Sequence, residues 1–195
     1  MILSLAVFFG LIAGVLRARI GHNRFTVGHL HAEWLVLLAV LPQLLVFFVP
    51  RFRRTVGYEI AAVTLVASLL LLLLFVWLNR TDLALLCLGA GLLLNLIVIL
   101  ANGGLMPISP ETVLRLASDV TIDQAHYGKR LGGTKDILLP EDATRLAFLS
   151  DRFVLPNWFP MGVAYSLGDI LIAAGAFWFF WRAGGGDRAA HSQAT

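Results

Sequence analysis

Five long runs of apolar residues constrain this chain more than any other feature of its sequence. They cover residues 2–16, 34–49, 60–78, 83–101 and 167–181. The first and last runs are near the lower limit of the roughly 20 mostly apolar residues that a helix needs to cross a bilayer, so we expect them to extend a few residues into the membrane interface. The sequence predicts an all-α integral membrane protein, a bundle of about five transmembrane helices.

The composition excludes a soluble protein. Apolar residues make up 58% of the chain and charged residues 14%, whereas soluble domains have roughly 45–50% and about 25%. A chain this apolar could not cover its surface in water. The net charge of +3 comes from scattered basic residues, which give no footprint for nucleic acid. The single cysteine, Cys87, lies inside an apolar run, so no disulfide forms within the chain.

The basic residues next to the first run set the predicted orientation. No basic residue precedes that run, and Arg17, Arg19 and Arg24 follow it. In a signal peptide the basic residues come first, so we interpret the run as a retained helix. Basic residues favour the cytoplasmic side of a membrane. The sequence therefore predicts an N-terminus outside the cell and a cytoplasmic C-terminus.

A polar segment separates the fourth and fifth apolar runs. Within it Ser109 is followed by Pro110, a combination typical of a helix start, and a second short helix is predicted to begin at Pro140. The residues between these helices have no clear period and are predicted to form a loop. We therefore divide the chain into a four-helix part, a polar extramembrane segment, a fifth transmembrane helix and a flexible C-terminal tail. These parts are residues 1–101, 102–166, 167–182 and 183–195.

Several polar residues lie in or beside the apolar runs, where each needs a partner. Asn95 and Asn102 are spaced to share one face of the fourth helix, so they either bind a polar ligand or pack one helix against another. Ser166 and Asp169 fit a capping box at the start of the fifth helix. Trp158 is placed as in an aromatic belt at the membrane surface. Asn95, Asn102, Ser166 and Trp158 are therefore candidate binding or helix-packing residues.

Three phrases of the sequence resemble a known bacterial family. Asn-Gly-Gly-Leu-Met-Pro begins at Asn102, Thr-Arg-Leu-Ala-Phe-Leu-Ser-Asp begins at Thr144, and Ser-Leu-Gly-Asp-Ile-Leu-Ile begins at Ser166. Together with the order of the helices, they resemble a family of small multipass membrane proteins, the domain of unknown function 5317. The resemblance covers nearly the whole chain. It implies a protein of the bacterial inner membrane and no particular activity.

Part of the chain also resembles the lipoprotein signal peptidases, which are membrane aspartic proteases. Asp151 and Asp169 stand eighteen residues apart, close to the spacing of that family's two catalytic aspartates, and aromatic residues lie between them. The resemblance implies that the two form a catalytic pair. Ser166 and Gly168 depart from the asparagine and alanine that accompany the family's second aspartate. Two close carboxylates share a proton, so one can take a proton from water while the other protonates the leaving group.

These observations leave two functions open. A family without known activity and an incomplete catalytic signature favour a non-enzymatic scaffold, an accessory subunit, or a bundle that binds a lipid or small ligand. Its expected partners are membrane lipids and other membrane subunits. The alternative is an aspartic hydrolase, which requires the carboxylates of Asp151 and Asp169 to approach each other beside an open groove. No cofactor is expected, and His29 and His31 alone are too few to predict a metal site.

Overall fold

The computed structural model describes residues 2–117, 121–156 and 162–186. These residues are mostly helical and include seven α-helices. In chain order the helices are α1 (Ile2–Ile20), α2 (Trp34–Phe48), α3 (Pro50–Thr55), α4 (Tyr58–Leu78), α5 (Leu83–Ala101), α6 (Pro110–Leu116) and α7 (Leu167–Ala183). Trp158 and residues 187–195 of the predicted tail lie outside the described residues.

Among the residues that the structure describes, three helices, α1, α4 and α5, are long and apolar enough to cross a membrane. They have 19, 21 and 19 residues. At about 1.5 Å per residue these lengths match a hydrocarbon core about 30 Å thick. Of the other predicted spans, α2 has 15 residues and α7 has 17. The three long apolar helices agree with the predicted class of membrane protein.

Helix α7 lies between α1 and α5. It runs parallel to α1, since Gly10 lies against Phe177 and Gly14 lies against Phe180. A Cβ atom at either glycine would overlap the backbone of α7, so the two helices approach closely only because these positions lack side chains. Small residues of this kind are the usual contacts between helices in membranes.

Helix α5 packs against α7 on one side and α4 on the other, and α2 covers α4. The helices α5 and α7 are antiparallel, because Gly91 of α5 meets Gly168 at the start of α7 while Gly175 of α7 meets Leu88. The order across the bundle is therefore α1, α7, α5, α4 and α2. The largest cluster of buried apolar side chains fills the space among α2, α4, α5 and the start of the polar segment.

The described residues of the polar segment, 102–117, 121–156 and 162–166, form a cap at the end of the bundle where α5 ends and α7 begins. Strand β1 (Met106–Ile108) is buried at its centre and pairs in parallel with β2 (Asp136–Leu138). A second, antiparallel pair consists of β3 (Phe153–Val154) and β4 (Ala164–Tyr165). The all-α prediction missed these strands, because runs of two or three residues are too short to show a period.

The predicted helix at Ser109 is confirmed. Ser109 is the N-cap of α6, and its Oγ accepts a hydrogen bond from the N–H of Thr112. The second predicted helix, beginning at Pro140, is wrong. Two single 3₁₀ turns, Glu141–Ala143 and Ala147–Leu149, stand in its place, and Leu146 between them has a φ of 55° in the left-handed region.

Asn102 gives the physical reason for this difference. The N–H of Arg145 donates to Oδ1 of Asn102 at 2.9 Å, and Nδ2 of Asn102 donates to the carbonyl of Arg145 at 2.8 Å. A helix would use both of these backbone groups for its own hydrogen bonds. Asn102, at the end of α5, therefore takes the place of helical hydrogen-bond partners for Arg145 and joins the cap to the bundle.

The opposite end of the bundle is closed by the loop between α1 and α2. Asn79, which is 6% exposed, joins this loop to the end of α4. Its Nδ2 donates to the carbonyl of His31 at 2.9 Å, and its Oδ1 accepts from the N–H of His31 at 2.8 Å. The two polar ends of the molecule are thus distinct: a large cap at one, and a short loop with basic residues at the other.

Candidate functional site

Three aspartate carboxylates surround the ammonium group of Lys135. Its Nζ lies 2.7 Å from Oδ2 of Asp151, 3.9 Å from Oδ1 of Asp136 and 4.0 Å from Oδ2 of Asp169. Asp151 is 1% exposed, whereas the side chain of Lys135 is 37% exposed. We call these four residues the lysine–aspartate cluster. It lies where the cap meets α7.

Strand β1 brings Lys135 and Asp151 together. The N–H of Met106 donates to the carbonyl of Lys135 at 3.0 Å, and the N–H of Asp151 donates to the carbonyl of Pro107 at 3.1 Å. Neighbouring residues of a strand point their backbone groups to opposite edges. Lys135 and Asp151 therefore flank β1 on its two edges, and their side chains meet over it.

The loop before Lys135 is fixed to the bundle by two arginines. Nη1 of Arg130 donates to the carbonyl of Val56 at 3.1 Å, and its guanidinium lies 5.0 Å from the ring centre of Phe47. Nε of Arg53 donates to the carbonyl of Gly132 at 2.9 Å. These contacts join the loop to α2, α3 and the start of α4, so the backbone that leads into Lys135 is held in place.

Asp169 connects the cluster to the two central helices. Its Oδ1 accepts from Nδ2 of Asn95 at 2.9 Å, and the Oγ of Ser166 donates to Oδ1 of Asn95, also at 2.9 Å. Ser166 is the N-cap of α7 and forms the predicted capping box with Asp169. Gly168 lets Asn95 approach, because a Cβ there would overlap the amide group. A continuous series of contacts therefore joins Lys135 in the cap, through Asp169, to Asn95 in the middle of α5.

Burial and the neighbouring charges shift the pKa values of both Asp151 and Lys135. Burial raises the pKa of Asp151, Lys135 lowers it, and the nearby charges of Asp136 and Asp169 raise it again, so that it reaches about 7. Burial alone would lower the pKa of Lys135, but the charges of Asp151, Asp169 and Asp136 raise it. Burial and the lysine charge thus shift the pKa of Asp151 in opposite directions, and burial has the larger effect.

Two oxygens of the cluster have no hydrogen-bond partner. Oδ1 of Asp151 and Oδ1 of Asp136 are buried, and neither accepts a hydrogen bond from the part of the chain that the structure describes. One ammonium group faces three carboxylates, so ionisation of all three would leave excess negative charge. A proton on any one of the three carboxylates would relieve part of this excess. Within the described ranges, no three His, Cys, Asp or Glu side chains are arranged to hold a metal ion.

Most of the residues singled out in the sequence meet at this place. Asp151 and Asp169 face the same lysine, and Asn95 and Ser166 bind Asp169. Asn102 does not join them, since its side chain holds the backbone of Arg145. The candidate role of Trp158 stays a prediction, because that residue lies outside the described ranges.

Sequence reasoning missed Lys135 and Asp136. No motif marks them, and Lys135 follows a glycine-rich turn in a segment that the sequence predicts to be a loop. Their position depends on the pairing of β1 with β2. Strands of three residues carry no sequence signal that would have revealed that pairing.

Comparison with known proteins shows the family and nothing about activity. Residues 28–181 match a family described as a family of unknown function, DUF5317. No curated protein and no solved structure matches the chain, so the resemblance to lipoprotein signal peptidases is not shown. The matched range begins before α2 and ends within α7, and it includes the whole lysine–aspartate cluster. The chain belongs to the family of unknown function DUF5317.

Proposed function

We propose that this protein is a non-enzymatic scaffold or accessory subunit of the bacterial inner membrane, with five membrane spans. Its N-terminus and cap lie outside the cell and its C-terminus lies in the cytoplasm. The observation that carries the proposal is the ion pair between Lys135 and Asp151, which continues through Asp169 to Asn95. Its physical role is to hold a polar cap in one position on a bundle of helices.

The packing of the bundle supports five spans. Helix α7 has 17 residues and lies between α1 and α5. Its contacts with α5 extend from Gly168 to Gly175 and those with α1 continue to Phe180. A helix in contact with two spanning helices along most of its length crosses the same depth of membrane. Helix α2 packs on α4 in the same way, and the short α3 continues it at the cap end.

The geometry of Asp151 favours a structural role over a catalytic one. A catalytic pair of aspartates holds a shared proton and a water molecule that the substrate can reach. Here the nearest charged partner of Asp151 is an ammonium group at 2.7 Å, and the aspartate is 1% exposed. An ion pair of this kind holds its two segments together, since removal of the lysine charge leaves the buried carboxylate of Asp151 without compensation.

The five-span arrangement is tested with single cysteines at two open glycines. Gly57 lies at the cap end and Gly28 at the opposite end, and a Cβ at either position meets no atom within 4 Å. In a Cys87→Ser background, an impermeant maleimide added to cells with a permeabilised outer membrane should label Gly57→Cys. It should label Gly28→Cys only after the inner membrane is broken. Labelling of both from outside would reject five spans, and the reverse pattern would invert the orientation.

An aspartic hydrolase is the second candidate. It is favoured by one observation: Asp151 and Asp169 both face Lys135, and the pKa of Asp151 is raised to about 7, near the value useful for acid–base catalysis. The test is cleavage of a lipoprotein peptide by the purified protein. We expect none from the wild type. Cleavage that Asp151→Asn and Asp169→Asn both abolish, with unchanged melting temperatures, would replace the scaffold with the enzyme.

A further inference from the structure

A cavity of about 430 Å³ lies at the end of the bundle opposite the cap. It is lined by Arg17 of α1, Arg182 and Ala183 of α7, Asp82, and the loop residues around Gly28. Its volume falls within the range of about 300–1,000 Å³ that is usual for small-molecule sites. Two arginines face one aspartate there, so the cavity carries a positive charge.

Both arginines are held in place by contacts that, among the described residues, use only part of their donors. Nη1 of Arg17 donates to the carbonyl of Trp181 at 3.0 Å, and the guanidinium lies 5.0 Å from the ring centre of that tryptophan. Nη1 of Arg182 donates to Oδ1 of Asp82 at 3.3 Å. A guanidinium has five N–H donors, so each arginine keeps donors in the fork geometry that matches a phosphate group.

An apolar groove continues from this cavity along the outside of the bundle. It lies between α1 and α7, has a volume of about 540 Å³, and shares Arg17 and Gly185 with the cavity. Its lining includes the apolar side chains of Ala13, Leu16, Ile20 and Trp181 and the polar side chains of Arg17 and Asn23. Arg17 therefore stands at the junction between a positively charged cavity and a groove that faces the acyl chains of the membrane.

We infer that the cavity and the groove together bind one anionic glycerophospholipid. The phosphate lies between Arg17 and Arg182, and an acyl chain lies in the groove beside Leu16 and Ile20. A free phosphate ion would use the cavity alone and leave the groove unexplained. A zwitterionic lipid would bring a cationic headgroup to two arginines. The inference rests on the proposed arrangement in which α1 and α7 both span the membrane.

The test is lipid binding to the purified full chain in detergent, measured by native mass spectrometry. The probes are dioleoyl phosphatidylglycerol and dioleoyl phosphatidylcholine, which have the same acyl chains. We expect one phosphatidylglycerol to bind at least tenfold more tightly than phosphatidylcholine. We expect Arg17→Gln and Arg182→Gln each to weaken that binding by about tenfold or more, because each guanidinium would donate charge-assisted hydrogen bonds to the phosphate.

Arg80 supplies a matched control. Its guanidinium lies 4.9 Å from the ring centre of Trp77, at the same end of the bundle, and it does not line the cavity or the groove. Arg80→Gln should change the affinity for phosphatidylglycerol less than twofold. Equal losses for all three arginine variants would show general surface attraction and overturn the inference. Displacement of the lipid by millimolar inorganic phosphate alone would identify a free anion as the ligand instead.

A groove variant keeps the inference testable if an arginine variant fails to fold. Ala13→Phe fills the groove and leaves both arginines in place. It should weaken phosphatidylglycerol binding by about tenfold, as expected if the bound acyl chain is excluded from about 50 Å² or more of apolar contact. Unchanged binding would refute the lipid site. Cysteine labelling at Gly28 and Gly57 reports the spans separately, so failure of the lipid site and failure of the five-span proposal give different results.

Discussion

Replacement of Lys135 by methionine isolates the ion pair that holds the cap. Methionine keeps an unbranched side chain of similar length and removes the charge, so Asp151 is left buried beside two further carboxylates. Loss of one partner of a buried ion pair costs about 3–5 kcal/mol. Because Lys135 is 37% exposed, solvent screening places the cost at the lower end, about 3 kcal/mol.

The stability lost in Lys135→Met should depend on pH, because the charge of Asp151 depends on pH. Its pKa is raised from 3.8 to about 7, so the folded protein binds that proton more tightly than the unfolded chain does. The contribution of Asp151 to stability is therefore greatest below pH 3.8 and falls as the pH rises towards 7. Lys135 offsets this fall, and its own raised pKa keeps it charged from pH 5 to 8.

Lys135→Met should accordingly destabilise the protein by about 3 kcal/mol at pH 8 and by about 1.5 kcal/mol at pH 5, because with the pKa of Asp151 at about 7 the cost changes by only about 1.5 kcal/mol between these pH values. For a chain of this size each kcal/mol corresponds to about 2–4 °C in melting temperature. The expected decrease is therefore about 6–12 °C at pH 8 in detergent, measured by tryptophan fluorescence.

Lys129 provides the control, since it is an exposed lysine in the same loop. Lys129→Met should lower the melting temperature by less than about 2 °C at either pH. The double variant Lys135→Met/Asp151→Asn should recover most of the loss, because no uncompensated charge remains buried. The reasoning fails if Lys135→Met matches the Lys129 control, or if its effect is the same at pH 5 and pH 8.

Two further variants test how the cap is joined to the helices. Asp169→Leu leaves the N–H of Ser166 and the Nδ2 of Asn95 without an acceptor. It should lower stability by about 2 kcal/mol more than Asp169→Asn, which keeps one acceptor oxygen. Equal melting temperatures for the two variants would contradict this. Asn102→Ala removes both hydrogen bonds to the backbone of Arg145 and should speed amide hydrogen exchange at Arg145 at least tenfold, with a stability cost of about 1–2 kcal/mol. Exchange at the wild-type rate would show that the neighbouring turns are held by other contacts.

The parts of the fold that the sequence predicted correctly depend on residues close together in the chain. Ser109 with Pro110 starts α6, and Ser166 with Asp169 caps α7, because a cap joins residues only three positions apart. The long apolar helices follow from composition alone. The helix predicted at Pro140 failed because its hydrogen-bond partner, Asn102, lies far away in the sequence.

The sequence predicted only part of the candidate site, because the site joins residues that lie far apart in the chain. The spacing of Asp151 and Asp169 came from a resemblance, and both aspartates do lie in one cluster. The residue that joins them, Lys135, was not predicted. Its position depends on strand pairing over three residues, and the identity of its neighbours depends on how the cap folds as a whole. Local periodicity contains neither kind of information.

The position of α7 between α1 and α5 has a consequence for assembly during synthesis. The first helix packs mainly against the last one, so in the proposed five-span arrangement α1 lacks this partner, and Gly10 and Gly14 lack their contacts, until α7 has left the ribosome. The cap is synthesised before α7, so Lys135 lacks its contact with Asp169 until α7 is complete. A chain that stops before α7 would therefore expose both an unpacked helix face and a partly unpaired ionic cluster, two features by which membrane quality control could distinguish unfinished chains from complete ones.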